Sequence, residues 1–191
     1  MDIFKQINWV DIFFLILLLR ICYVSLKNGM PIEFFKLLGT IAATYLSLHY
    51  YVALASFLSN RFLKGASLQT LSFLSFLVLA IAGYAAFFLL RQVFFKLIKV
   101  EPLPGLNKWA GVIFGLLRGL LFLSLVLLVF AVSPLGYLKK SAADSYSGKP
   151  IFKIAPRVYE VIWNGIFCKF ATSEKFNSAV GNLQNLDTPE K

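Results

Sequence analysis

The chain has 191 residues, of which 59% are hydrophobic, 16% aromatic and only 15% charged. Soluble domains are about half apolar and about a quarter charged, so an ordinary water-soluble core is excluded, and 20 Phe with 8 Tyr exclude a disordered chain. The net charge of +10 points to anionic lipid headgroups as the counter-charge, because the cations are scattered rather than gathered into the basic stripe that nucleic acid requires.

Crossing the hydrocarbon takes about 20 apolar residues at about 1.5 Å of rise each. The first such span is predicted at about 8–26, with Asp11 near its start and Arg20 inside. Its uncharged core, Ile12 to Leu19, has the length of a signal-peptide core. Arg20 follows directly, however, and no small-x-small cleavage site is present. Leu19-Arg20-Ile21-Cys22 also lacks the small residues of a lipoprotein site, so the segment reads as a retained helix. Further spans are predicted at about 35–58, 68–90 and 109–132, the last broken only by Arg118. Their short connections make neighbouring helices antiparallel, with both termini on one side. No ten-residue alternation suggests a barrel. The fold class is therefore an all-α integral membrane protein of four antiparallel transmembrane helices in 1–136, followed by a C-terminal amphipathic helix.

Orientation is left open by the cations. Lys5, Arg61, Lys64, Lys139, Lys140 and Lys149 on one side balance Lys27, Lys36, Arg91, Lys96, Lys99 and Lys108 on the other. The density of charge in the 91–108 loop favours placing that loop in the cytoplasm. Its cations alternate with Phe94 and Phe95 before a Pro102–Gly105 turn, the pattern of a headgroup anchor.

Ser133-Pro134 ends the fourth span, and 137–171 reads as a polar linker followed by an amphipathic helix from about Pro156 to Phe170. Val158, Tyr159, Ile162, Trp163, Ile166 and Phe167 share one half of that helix, and Arg157, Glu160 and Asn164 the other. Too short and polar to cross, it is expected in the membrane interface or docked on the bundle. Residues 172–191 read as a loose polar tail.

The isolated Cys22 and Cys168 predict neither a disulfide nor a metal knuckle, and no metal or cofactor site is expected. Helices in lipid approach through small residues. Gly111, Gly115 and Gly119 form such a face on the fourth helix; Gly39 belongs to a matching stripe on the second and Gly83 to one on the third. These faces meet either inside the bundle or between copies. Arg118, seven residues after Gly111, returns to the same face. A charge at the bilayer centre costs roughly 2.5–3.5 kcal/mol on insertion scales. Its long stem can snorkel towards the turn near Gly29, so Arg20, Glu33 and Arg118 form a candidate buried polar cluster with Lys36 at its edge. Asp11 is a poor partner for Arg20, nine residues away on the opposite side of the helix. The cluster is either a polar pathway or anion pocket, or a structural device that fixes register. His49, bordering the small-residue face, is either a proton relay or a packing residue.

Asn8-Trp9-Val10-Asp11, the run Gly29, Glu33, Leu37, Leu38 and Gly39, and above all Leu106 to Gly119 with its glycine-spaced helix and Arg118 resemble the colicin V production protein (CvpA) family, over about Asn8 to Gly136. The first turn, Ser25 to Pro31, is poorer in glycine and arginine than the family's, and Pro31 is expected to tilt or delay the second helix. The resemblance implies a multi-pass protein of the bacterial inner membrane, needed for production or export of a peptide toxin or for envelope homeostasis. It transfers no catalytic residue. With Asp11 and Glu33 at opposite faces, no acid–base pair is expected, so the chain reads as a non-enzyme: a small oligomeric channel or transport component. The alternative is a scaffold that docks a partner through its C-terminal helix. Expected partners are anionic lipid headgroups, further copies of the chain, and a secretion or envelope protein.

Overall fold

The computed structural model describes residues 8–63, 65–97, 104–167, 169 and 176–185. Lys5, Lys64, Lys99, Pro102, Leu103, Cys168, Phe170 and half of the polar tail lie outside the described residues. Four long helices come first: α1 (Trp9–Asn28), α2 (Met30–Arg61), α3 (Leu68–Leu97) and α4 (Pro104–Val132). Each is long and apolar enough to cross a membrane. Three short helices follow, α5 (Gly136–Ala143), α6 (Gly148–Phe152) and α7 (Ile154–Ile162), the last running into a π-helical turn at Trp163–Phe167; α8 (Ser178–Asn185) ends the described chain. Among the described residues there is no strand.

Local chemistry explains the helix ends. Asn8 and Asp11 form a reciprocal capping box at the start of α1, the side chain of each satisfying the other's backbone N–H. Gly29 stops α1 with φ +75, a conformation that side chains resist, and the Asn107 amide lies 2.5 Å from where its Cβ would stand. α2 starts at once. Pro31 falls within its first turn, where a missing N–H forfeits no intrahelical bond, so the proline does not delay the helix to residue 35. α3 likewise runs seven residues past 90. Arg91 and Lys96 are good helix formers, and Phe94 and Phe95 pack on Phe35 with ring centroids 4.7 and 5.6 Å apart. Pro104 opens α4 five residues ahead of the expected start. Much of the expected basic loop is therefore helix.

α2 and α4 form the centre, with α1 laid on α4 and α3 on α2. Along the α1–α4 seam Gly111 meets Gly29, Gly115 meets Ser25, and Gly119 meets Ile21. Numbers fall on α1 as they rise on α4, so the two run in opposite senses. α2 and α3 do the same through Gly39 with Phe87 and Gly83 with Ala43. Leu48, Phe76, Leu123, Leu127 and Leu128 are fully buried between the helices. Ile12, Leu15, Ile16 and Leu19 of α1, and Val78, Ile81 and Leu89 of α3, stay exposed, as lipid-facing surfaces should.

The region expected as a polar linker is docked structure. The Asp11 carboxylate accepts hydrogen bonds from Ser145 Oγ (2.8 Å), from Ser147 N (2.9 Å), from Ser147 Oγ, and from Tyr146 N (3.3 Å). Asn8 Nδ2 donates to Ser141 O, and Trp9 Nε1 to Ser141 Oγ. The start of α1 thus clamps the α5–α6 turn, because its capping carboxylate has acceptor sites to spare. Asp11→Ala would remove one half of the capping box and strand these donors, at a cost of about 2–3 kcal/mol. Trypsin cleavage after Lys139 or Lys140 should then accelerate; an unchanged cleavage rate would show the clamp to be idle.

Deeper in the bundle, Ser124 of α4 donates to Phe152 O (3.1 Å) and accepts from Ala155 N (2.9 Å), fixing α6 and α7 against the centre of the molecule. Ala155, Tyr159 and Trp163 are buried there. Part of the expected tail is also fixed. Asn177 caps α8, and its Nδ2 donates to Leu48 O of α2 (2.6 Å), while Val180 is buried.

Candidate functional site

Glu33 lies in the first turn of α2 with its side chain 0% exposed. Its Oε1 accepts from Lys36 Nζ (2.8 Å) and from Asn28 Nδ2 (2.7 Å). Its Oε2 faces Arg118 Nη2 at 3.1 Å. The reach of Arg118 follows from helix geometry: side chains lean towards the N-terminus of their helix, here the Gly29 end where Glu33 waits. Lys36 sits one turn after Glu33 on the same face. All three groups are largely withdrawn from the surface, with Lys36 17% and Arg118 13% exposed.

The glycines make this burial feasible. A Cβ on Gly115 would stand 2.0 Å from Ser25 Oγ and 3.6 Å from Glu33 Oε2, so only glycine lets α1 close over the ion pair. Gly111 passes the backbone of Gly29, its notional Cβ 2.9 Å from the carbonyl carbon. At Gly119 the seam relaxes to 3.4 Å from Ile21. Gly39 and Gly83 serve the other seam, 3.0 Å from Phe87 Cβ and 2.9 Å from Ala43 Cα. Each of the five abuts a helix or turn of its own chain. Asn107 completes the end of the site by accepting from Met30 N at 2.6 Å.

Arg20 does not join the ion pairs. It is exposed and has no hydrogen bond or salt bridge among the described residues. Ile21 and Leu18, not Arg20, face α4 across Gly119, which leaves the arginine at the rim of the seam. Arg20 does share a cavity of about 400 Å³ with Lys36 and Arg118. α1 and α3 wall this cavity through Leu17, Ile21, Val24 and Tyr84, and α2 and α4 close it with Thr40 and Phe122.

His49 lies elsewhere, in an aromatic stack. Its ring lies 5.1 Å from Trp163 and 5.3 Å from Tyr45, and its Nδ1 is 2.8 Å from Tyr159 Oη. Asp11 and Glu33 occupy the first turns of different helices, and neither faces the other. Among the described residues no three His, Cys, Asp or Glu side chains gather as metal ligands.

Sequence reasoning missed the polar ties Asp11–Ser145, Ser124–Ala155 and Asn177–Leu48. The first had a legible half, the Asn8–Asp11 spacing of a capping box; the other two leave no local signal.

The model of the family described as colicin V production protein matches residues 10–156. No curated protein and no solved structure matches the chain significantly. The matched stretch extends twenty residues beyond Gly136, taking in α5, α6 and the start of α7. It therefore covers the Asp11 clamp and the Ser124 dock as well as the Glu33–Arg118 pair. With the four long apolar helices inside this match or extending to its first residues, the chain belongs to the colicin V production protein family and is a multi-pass membrane protein.

Proposed function

We propose that this protein acts, without catalysis, as a transport component of the bacterial inner membrane in the production or export of a colicin V-type toxin, or in envelope homeostasis, with the Glu33–Arg118 cluster as its working part. The observation that carries the reading is an unspent donor. Arg118 lies about 16 Å along α4 from Asn107, a depth at which a cation is expensive. Yet its Nε is buried with no hydrogen-bond partner among the described residues. Glu33 Oε2, 3.1 Å from Arg118 Nη2, is likewise buried with no hydrogen-bond partner among the described residues, and an orphaned polar group in a dry site costs about 1–3 kcal/mol. An arginine kept half-satisfied beside a cavity is suited to a transient partner.

Scaffolding through the C-terminal helix has less support. Ala155, Tyr159 and Trp163 of that segment are spent on packing against the bundle, leaving Val161 as the main exposed apolar group of α7. Packing of copies through the glycine faces is similarly weakened, since those faces are occupied within the chain.

Arg118→Leu separates work from architecture. Glu33 keeps Lys36 and Asn28, so its charge stays compensated and the protein should still accumulate in the membrane. Toxin release from cells carrying only this variant is expected to fall to the level of cells without the protein. Normal release would reduce the cluster to a packing device.

A further inference from the structure

The cavity holding Arg20, Lys36 and Arg118 continues into a second one. Thr40, Tyr84 and Phe122 line both. The second has about 500 Å³ and runs between α2, α3 and α4 to Phe76 and Val129. From Arg118 to Val129 that is about 16 Å along α4. Its walls, among them Ala80 and Ile81, are almost wholly apolar.

The two halves have opposite chemistry. The first is lined by three cations, of which Lys36 and Arg118 share the single Glu33 carboxylate, so two positive charges are in excess. Among the described residues the Arg20 guanidinium is unpaired and Arg118 Nε has no partner. An excess of cation gathered around one cavity calls for an anion, and guanidinium forks favour phosphate oxygens. In the second, nothing polar is offered, and only a hydrocarbon chain gains by entering. One molecule satisfying both must carry a phosphate joined to a long apolar chain. Combined, the cavities fall in the size range of specific ligand sites, about 300–1,000 Å³.

We infer that this groove binds a single phosphate-bearing lipid of net negative charge, its phosphate on Arg20, Lys36 and Arg118 and its chain between α3 and α4. The site does not depend on the transport reading; it would serve equally a carrier, a sensor or a lipid-stabilised bundle.

Native mass spectrometry of the purified full chain in mild detergent tests this, with phosphatidic acid, phosphatidylcholine of the same chains, and inorganic phosphate as probes. Phosphatidic acid is expected to remain bound as one molecule per chain while phosphatidylcholine is stripped. Arg20→Gln, at an exposed position with no bond among the described residues, should weaken retention about tenfold, the value of one charge-assisted contact. Ala80→Trp, which fills the apolar arm far from every cation, should weaken it too. Equal retention of the two lipids, or no effect of Arg20→Gln, would overturn the site. Displacement of phosphatidic acid by equimolar inorganic phosphate, or indifference to Ala80→Trp, would overturn its assignment to a lipid in favour of a free anion.

Discussion

Glu33→Leu is expected to destabilise the protein by about 3–5 kcal/mol, the cost of stranding a buried partner charge. The substitution removes the acceptor of Lys36 Nζ and of Asn28 Nδ2, and leaves the Arg118 guanidinium facing a hydrocarbon side chain. Lys36, at 17% exposure, can swing outward; Arg118, in the middle of α4, has much less room. Removing both ends of the pair should behave differently. The double variant Glu33→Leu with Arg118→Leu replaces an ion pair by apolar groups in an apolar setting, an exchange that is often neutral. It should recover most of the lost stability, measured by loss of helicity during denaturation in detergent, while toxin release stays absent. Strong non-additivity is the signature of direct contact. If the single variant proves as stable as the wild type, the pair does not hold the helices together. If the double variant releases toxin, it does nothing else.

Gly115→Val should come second, at about 2–3 kcal/mol, by overfilling the α1–α4 seam. The first added carbon alone would stand 2.0 Å from Ser25 Oγ and 2.5 Å from Ser25 Cβ. No rotamer of Ser25 relieves the second contact, so α1 must move and open the ion pair that it covers. Two controls give the argument direction. Ser25→Gly removes both offending atoms and should restore much of the loss when combined with Gly115→Ala. Gly119→Ala, whose new Cβ would find only ordinary contacts at 3.4–3.5 Å, should lie near neutral. The thermal midpoint of the purified protein reads all of these. Equal losses at 115 and 119 would mean that the seam has no tight point, and that the glycines matter for helix propensity alone.

The polar residues show where sequence reading reached and where it stopped. Glu33 and Arg118 were readable as partners because Arg118, a charge deep in an apolar helix, needs a counter-charge, and helix rise puts Glu33, at the start of the second helix, in range. Arg20 met the same two conditions, yet it lies outside the ion pair. Depth along a helix follows from counting, but the angle about the axis that faces a neighbour depends on which seam the glycines close, and Ile21 took that place. The region after Ser141 failed for a different reason. Ser124, Ser145, Ser147 and Asn177 are small polar residues of a kind found in any loop, and their roles come from partners more than twenty or one hundred positions away.

Sequence alone determined the apolar spans, their helical state and their short connections, because in lipid each backbone must satisfy its own hydrogen bonds and about 20 apolar residues are needed to do so across the hydrocarbon. It also determined that Arg118 had to find a counter-charge. Only the tertiary structure decided that Gly115 would close α1 over that pair, that Asp11 would hold the chain's later helices, and that a cationic cavity would open onto an apolar one. Those outcomes rest on close approaches between distant segments, and no local pattern of residues encodes such an approach.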